Sequence, residues 1–285
     1  MSVNTVGLLH PGNMGASIGA AAAAGGARVI WVSQQRGETT KQRAQSAGLI
    51  DVERLAELVR QSAIIVCVCP PHAAVEVAES VAEHNFRGVY VDANAVSRIT
   101  AEHIGEIITR GGAEFVDGGI IGPPVKRSGT TRLYLSGKRA PQVADVFSSS
   151  MLDARGIGDK PGAASALKVV YAAWTKCTDA LILAIRTLAT HEGVDKALLE
   201  EWSISQPDLL RRSNRAAAVA TPKAWRYVGE MQEIAEAFEA AGLPVGFHHA
   251  AAQICERLAP FKDLTDPPLT LEAVIAALQR PSLNA

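Results

Sequence analysis

Cysteine is scarce in this chain of 285 residues, which holds only Cys67, Cys69, Cys177 and Cys255. Apart from one C-x-C pair they lie far apart, which argues against a disulfide framework and against a zinc site. An excess of charge of either sign is missing too: 28 Lys and Arg stand against 29 Asp and Glu, a net charge of −1. Electrostatic capture of nucleic acid or of an anionic membrane has no basis in such a balance. No apolar run reaches membrane-spanning length without interruption. The start carries neither a charged lead nor a cleavable apolar segment, and no internal repeat is visible. These absences predict a soluble chain in a reducing, cytoplasmic setting, with no metal, no nucleic-acid partner and no membrane partner. What is there is 48% hydrophobic residues and 20% charged ones, material for one large or two ordinary domains with real cores.

Short apolar runs alternate with helical periodicity through the first half. Strands are predicted at Thr5–Leu9, Arg28–Ser33, Ala63–Cys69, Val89–Asp92, Phe115–Asp117 and Thr131–Ser136. Helices are predicted at Ala16–Ala24, Asp51–Gln61, Ala73–Glu83 and Thr100–Thr109, the last capped by Ser97 or Thr100. Such alternation with short connections implies a parallel sheet covered on both faces. From Ala163 onward strand signals vanish. Ala163–His191 reads as one very long helix, and Glu201–Ser205, Pro222–Ala241, Gly246–Leu258 and Leu271–Leu278 as further ones. The predicted division is therefore 1–160, an α/β domain, and 161–285, an all-helical domain.

The first strand runs into His10-Pro11-Gly12-Asn13-Met14-Gly15 and then an alanine-rich helix. Strand, glycine turn and helix in that order form the pyrophosphate site of a Rossmann dinucleotide-binding domain, where unpaired helix N–H groups face an anion. His10 stands where the first glycine of G-x-G-x-x-G is usual. At the end of the second strand, Ser33-Gln34-Gln35-Arg36 offers no acid before Glu38. An acid there would take the ribose 2′-hydroxyl of NAD, whereas Arg36 beside small polar groups suits the 2′-phosphate of NADP. NADP is expected, with NAD the alternative. Ligands of a doubly wound sheet lie at the carboxyl ends of its strands. That rule points to Cys69-Pro70-Pro71-His72 after the fourth strand and Asp92-Ala93-Asn94 after the fifth, with Asn94 aimed at the nicotinamide amide or a substrate oxygen.

One lysine interrupts the apolar start of the long helix, in Ala163-Ala164-Ser165-Ala166-Leu167-Lys168-Val169-Val170-Tyr171. Burying an ammonium is costly, so a lysine in such a place is paired or used. Desolvation moves its pKa toward neutrality, which suits a proton shuttle. At 100° per residue Lys168, Tyr171, Ala172, Thr175, Asp179 and Arg186 share one polar stripe, expected to line a cleft between the domains. Pairing with Asp179, or snorkelling to the surface, is the structural alternative.

With these residues in place the chain resembles the β-hydroxyacid dehydrogenase superfamily, which includes the 6-phosphogluconate and 3-hydroxyisobutyrate dehydrogenases. Gly7, Gly12, Met14 and Gly15 match its G-x-I-G-L-G-x-M-G. Asp117 and Gly122, in Phe115-Val116-Asp117-Gly118-Gly119-Ile120-Ile121-Gly122, match its substrate loop D-A-P-V-S-G-G, with Ile121 in place of the serine. Gly162 and Lys168 match G-x-G-x-x-x-K, which carries the family's catalytic lysine, with Ala164 at the second glycine. Ala172 replaces the asparagine four residues beyond that lysine, and Gln232-Glu233-Ile234 stands for a later K-D-L. Lys223–Met231 and Gly242–His248 resemble a branch whose members are labelled phosphogluconate-dehydrogenase-like.

The resemblance implies hydride transfer between a nicotinamide and a small hydroxy or oxo substrate, with Lys168 as general acid and base. It also implies a homodimer built through the helical domain. Asn94, Gly119, Ile121, Gly122, Tyr171 and Thr175 are the expected substrate contacts. Two other readings stay open. The apolar Ile120, Ile121, Pro123, Tyr171 and Trp174 suit an imine or apolar-ketone reductase, and the altered first glycine suits a nucleotide sensor without turnover. His248 is expected either to reach the site or to serve as a core or capping residue.

Overall fold

The computed structural model describes residues 5–280; the expected absence of a leader concerns residues 1–4 and lies outside them. The strands are β1 (Thr5–Leu9), β2 (Arg28–Trp31), β3 (Ile50–Asp51), β4 (Ile64–Cys67), β5 (Val89–Asp92), β6 (Glu114–Ile121), β7 (Arg132–Ser136) and β8 (Asp153–Gly156). They form one sheet in the order β3-β2-β1-β4-β5-β6-β7-β8. Every pairing is parallel except β6 with β7. Between them run α1 (Asn13–Ala24), α2 (Glu38–Ser46), α3 (Leu55–Gln61), α4 (Ala74–Glu83), α5 (Arg98–Arg110) and α6 (Ala140–Asp145). The α5 cap is Ser97, whose hydroxyl accepts from the Thr100 amide.

Alternate residues of the central strands feed two apolar layers. Val6, Leu8, Val66 and Val91 pack with Ile18 of α1 and with Leu133 and Phe147. Leu9, Ile65, Cys67 and Tyr90 pack with Leu58 of α3, Val81 of α4 and Ile104 of α5. A sheet covered on both faces needs apolar residues at every strand position, and its strands therefore read as unbroken hydrophobic runs.

Three expectations are corrected. The helix predicted from Asp51 begins at Leu55, and Ile50–Asp51 pair with Ile30–Trp31 as β3. The Asp51 carboxylate turns the chain there by accepting from the Glu53 amide at 2.8 Å, and Glu53 holds a left-handed φ of 62° that no helix continues. β2 stops at Trp31 rather than Ser33. β6 runs four residues past Asp117, so that Gly118 to Ile121 are strand, paired with β7, and not a loop.

Cα packing divides the chain into Met1–Val169 and Val170–Ala285. The division drawn from composition at 160/161 thus falls nine residues earlier, because the first turns of α7 (Ala163–His191) pack with the sheet. The second unit holds the rest of α7 with α8 (Asp195–Ser205), α9 (Leu209–Arg215), α10 (Ala224–Ala240), α11 (Gly246–Leu258) and α12 (Leu271–Leu278). Its core gathers Ile182, Leu183, Trp202, Leu258, Val274 and Leu278. Among the described residues no helix is long and apolar enough to cross a membrane.

Candidate active site

The β1–α1 turn is built to receive an anion. Gly12 caps α1 without a side-chain hydrogen bond, and the first turn carries no acid. The N–H groups and positive end of the helix dipole are therefore uncompensated by the protein. A Cβ on Gly12 would meet nothing within 4 Å, and Asn13 is exposed beside it, whereas Pro11 is buried and Met14 packs against the core. Gly15 serves another purpose: a Cβ there would lie 2.4 Å from the His10 carbonyl oxygen, which only glycine permits. His10 adopts φ 62°, the left-handed turn that the motif's first glycine ordinarily supplies. Its Nε2 lies 3.3 Å from the Arg36 guanidinium. Burial, and then the charge of Arg36, hold the imidazole down to about 4, so Nε2 is free to accept from Arg36.

Beyond β2, Ser33, Gln34, Gln35 and Arg36 line an open recess of about 440 Å³ with Lys41, Asp51, Glu53 and Arg54. Three cations and two acids meet there. The sequence around β2 offers no acid, but Asp51 arrives from β3. Its Oδ1 is already engaged by the Ser33 and Glu53 amides at 3.2 and 2.8 Å. These residues fit a dinucleotide: an uncapped glycine turn for the pyrophosphate and a cation-bearing recess at the adenosine end.

The exits of β4 and β5 are tied together. Asn94 is buried, and its Oδ1 accepts from the Cys69 amide at 2.6 Å. Its Nδ2 donates to Asp92 and faces the Cys67 sulfur at 3.6 Å. The amide expected to face nicotinamide or substrate is thus engaged inside the protein, holding Cys69 in place. Asp92 is fully buried, and desolvation, then Cys67 and Asp117, push its carboxyl well above the usual range. Pro70 and His72 are exposed beyond this tie.

The densest polar cluster centres on Asp117 of β6, which is fully buried. Its Oδ2 accepts from the Ser136 hydroxyl at 2.8 Å and from the amides of Gly162, Ala164 and Ser165 at 2.9, 2.9 and 3.0 Å. Its Oδ1 accepts from the Ser165 hydroxyl. A carboxylate on a strand thereby caps a helix that starts far along the chain. The cap seats the first turns of α7 against β6, where Lys168 Cβ comes within 3.2 Å of where a Cβ on Gly119 would lie. The same Cβ would lie 2.6 Å from the Ala164 carbonyl oxygen, so only a glycine at 119 admits the helix. Lys168 is half-buried, and desolvation alone brings its ammonium down to about 8. Among the described residues nothing forms an ion pair with it, Asp179, the alternative partner, included.

The remaining candidates scatter. Ile121 is buried at the end of β6, while Gly122 is exposed beyond it. Tyr171 is exposed, and the Thr175 hydroxyl donates to the Tyr171 carbonyl at 3.1 Å. Arg186 does not share a functional stripe: it is buried in the second unit, held by Asp195 at 2.7 and 2.9 Å and by Ser213 at 3.0 Å. Burial raises the Asp179 carboxyl, against Arg215 and Arg212. His248 is buried on α11, edge-on to Phe238, with Nδ1 3.1 Å from the Cys177 sulfur. Sequence reasoning used Asp117 only as a motif match and missed its capping role, together with Ser136 and Ser165. An acid between an apolar pair and two glycines is the signal that marks it.

Residues 5–95 match a family described as NADP oxidoreductase, coenzyme F420-dependent, and residues 189–258 match a domain of unknown function, DUF1932. An uncharacterized 28.5 kDa protein in the 7S RNA 5′ region of Methanothermus fervidus is 32% identical over 165 residues, 58% of this chain and 63% of that protein. MTH1747, a conserved protein of unknown function with structural similarity to 3-hydroxyacid dehydrogenases, superposes with a TM-score of 0.70 at 23% identity. The match covers 90% of this chain and 97% of that one. The 3-hydroxyisobutyrate dehydrogenase of Mycobacterium tuberculosis, solved with L-serine, gives a TM-score of 0.71 at 17% identity, covering 98% and 100%. Imine reductases also share the fold. The fold is shared with the 3-hydroxyisobutyrate dehydrogenases and with MTH1747. Within its Rossmann-like first half residues 5–95 match the NADP oxidoreductase family model, and its helical half carries the DUF1932 match.

Proposed function

We propose that this protein is an NADP-preferring oxidoreductase of a small hydroxy or oxo substrate, with Lys168 moving the proton. The observation that carries the reading is the unpaired, half-buried Lys168 seated on β6, its ammonium brought down to about 8. A bound nicotinamide supplies or accepts the hydride. Lys168 takes the hydroxyl proton when the substrate is oxidised and returns it when the carbonyl is reduced, and a pKa near the working pH serves both directions. Pro11 to Met14 hold the pyrophosphate, His10 orients Arg36, and Ser33, Gln34 and Arg36 take the adenosine end. Cys69, Pro70 and Asn94 shape the floor at the β4 and β5 exits, with Asn94 acting through the backbone it holds. Gly119, Ile121, Gly122, Tyr171 and Thr175 are the proposed substrate contacts. A cytoplasmic homodimer assembled through the helical unit completes the proposal.

Hydroxyacids, ketones and cyclic imines offered with NADPH and with NADH test it. Turnover of a hydroxyacid or its oxo form, falling by about 10²-fold or more in Lys168→Ala with NADPH affinity retained, is the expected result. Full turnover in Lys168→Ala removes the proton relay. Turnover confined to imines selects the imine-reductase alternative, favoured by the exposed apolar Tyr171 and Trp174. NADPH binding with no turnover across the panel selects a sensor.

A further inference from the structure

The mechanism leaves a pair of thiols unused. Cys67, the last residue of β4, and Cys69 lie with their sulfurs 3.7 Å apart. Cys67 is fully buried and Cys69 is partly exposed. The Asn94 amide faces the Cys67 sulfur at 3.6 Å, and the Tyr90 hydroxyl lies beside it. The contacts with the Cys69 sulfur and the Asn94 amide pull the Cys67 thiol down against its burial, while the neighbouring sulfur and burial push Cys69 up. Both the partly exposed thiol and its buried neighbour sit at the strand exit next to the anion-binding turn.

We propose that Cys67 and Cys69 form an oxidisable dithiol whose closure to a disulfide loosens the β1–α1 turn and weakens dinucleotide binding. The last clause rests on the proposed function. A peroxide is the oxidant. It transfers oxygen to the partly exposed Cys69, giving a sulfenic acid and one water. The Cys67 sulfur then attacks the Cys69 sulfur, and the hydroxyl leaves with the Cys67 proton as a second water. Two thiols and one hydrogen peroxide become one disulfide and two waters. A C-x-C bridge does not fit an extended backbone. Two residues of extended chain span about 7 Å, at or beyond the usual Cα separation of a disulfide, so closing the bond bends the chain at Val68. Val68 is coupled to the turn: its amide donates to the Leu9 carbonyl at 3.3 Å, and its Cβ lies 3.5 Å from where a Cβ on Gly15 would be. The bend also works against the Cys69 amide bond to Asn94.

The test uses the full chain, reduced, then treated with a few equivalents of hydrogen peroxide, quenched with iodoacetamide and digested with trypsin. The peptide carrying both cysteines is expected to lose two hydrogens and to resist alkylation until reduced, and Cys69→Ser abolishes that protection. Alkylation of both cysteines after peroxide, or Cys69 oxidised to a sulfinic acid with Cys67 still alkylated, overturns the dithiol. Amide hydrogen exchange at Val68 and at Gly12 to Met14 is expected to speed up at least fivefold in the oxidised chain; unchanged exchange overturns the coupling. NADPH affinity, read by fluorescence, is expected to fall at least fivefold and to recover with dithiothreitol, while Cys69→Ser shows one affinity before and after peroxide. An unchanged affinity in the bridged chain overturns the effect on binding. A reduced chain that binds no NADPH instead removes the proposed cofactor, leaving alkylation and exchange to decide the dithiol.

Discussion

Lys168 is destabilising in its charged form and useful for the same reason. Its pKa of about 8 lies below the ordinary 10.5, so between those values the unfolded chain binds more protons than the folded one. Stability therefore rises with pH through that window, and the full penalty applies below about pH 8. Lys168→Met is expected to stabilise the fold near pH 7 by about 2 kcal/mol, with the difference vanishing above about pH 10.5. Urea titrations at the two pH values measure this, and equal gains at both would contradict it. Oxidation, which needs the free amine, should accelerate as pH rises through about 8. His10 has the same sign in another window, since its folded pKa of about 4 lies below the ordinary 6.5. The folded chain loses stability as pH falls through that interval. Arg36→Ala should weaken NADPH binding about tenfold or more while leaving NADH nearly unchanged, because a bidentate cation is lost only from the 2′-phosphate. Equal losses for both cofactors would place Arg36 outside that contact. Lys168 was legible in the sequence because a single charge in an apolar helix is a local contradiction. Asn94 was not, because whether an amide faces a ligand or its own backbone depends on neighbours 25 and 27 residues away.

Among the elements, the junction of β6 with α7 governs where the candidate lysine stands. Gly119→Ala would drive a methyl into the Ala164 carbonyl oxygen, and the helix must shift to admit it. The expected outcome is a loss of about 1–3 kcal/mol together with a fall in turnover, checked by denaturation and kinetics on one preparation. A folded, fully active Gly119→Ala would show that Lys168 needs no such registration. β1, β4 and β5 were legible because burial on both faces leaves an unbroken apolar run. Strand direction leaves no trace in such a run, so the antiparallel β6–β7 pairing was not. β3, two residues long, is too short to show a period. The segment with the glycines of β6 read as a loop by its resemblance to the family's substrate loop, yet it is strand, with Gly119 close against the α7 helix and Gly118 close against Asp92 and Ala93.

For the whole molecule, α7 carries large apolar residues that stay in water in the single chain. Val170 and Trp174 are each 65% exposed, Leu181 56% and Leu188 60%. Spaced at helical intervals, they give an unpartnered face more extensive than scattered surface hydrophobes. A second copy of the chain covering this face is the expected arrangement. Light scattering should report a dimer that Leu181→Glu with Leu188→Glu converts to monomer; a dimer indifferent to both changes must be built elsewhere. Net charge near zero does nothing to keep copies apart.

The buried Asp117 carboxylate also decides where this protein can be cut. A fragment ending at residue 160 follows the change of texture in the sequence, but it would discard the Gly162, Ala164 and Ser165 donors and leave a buried carboxyl short of partners inside the sheet. One ending at Val169 keeps every one of them. The shorter piece should therefore aggregate or melt on expression, and the longer one should be the minimum excisable nucleotide-binding half.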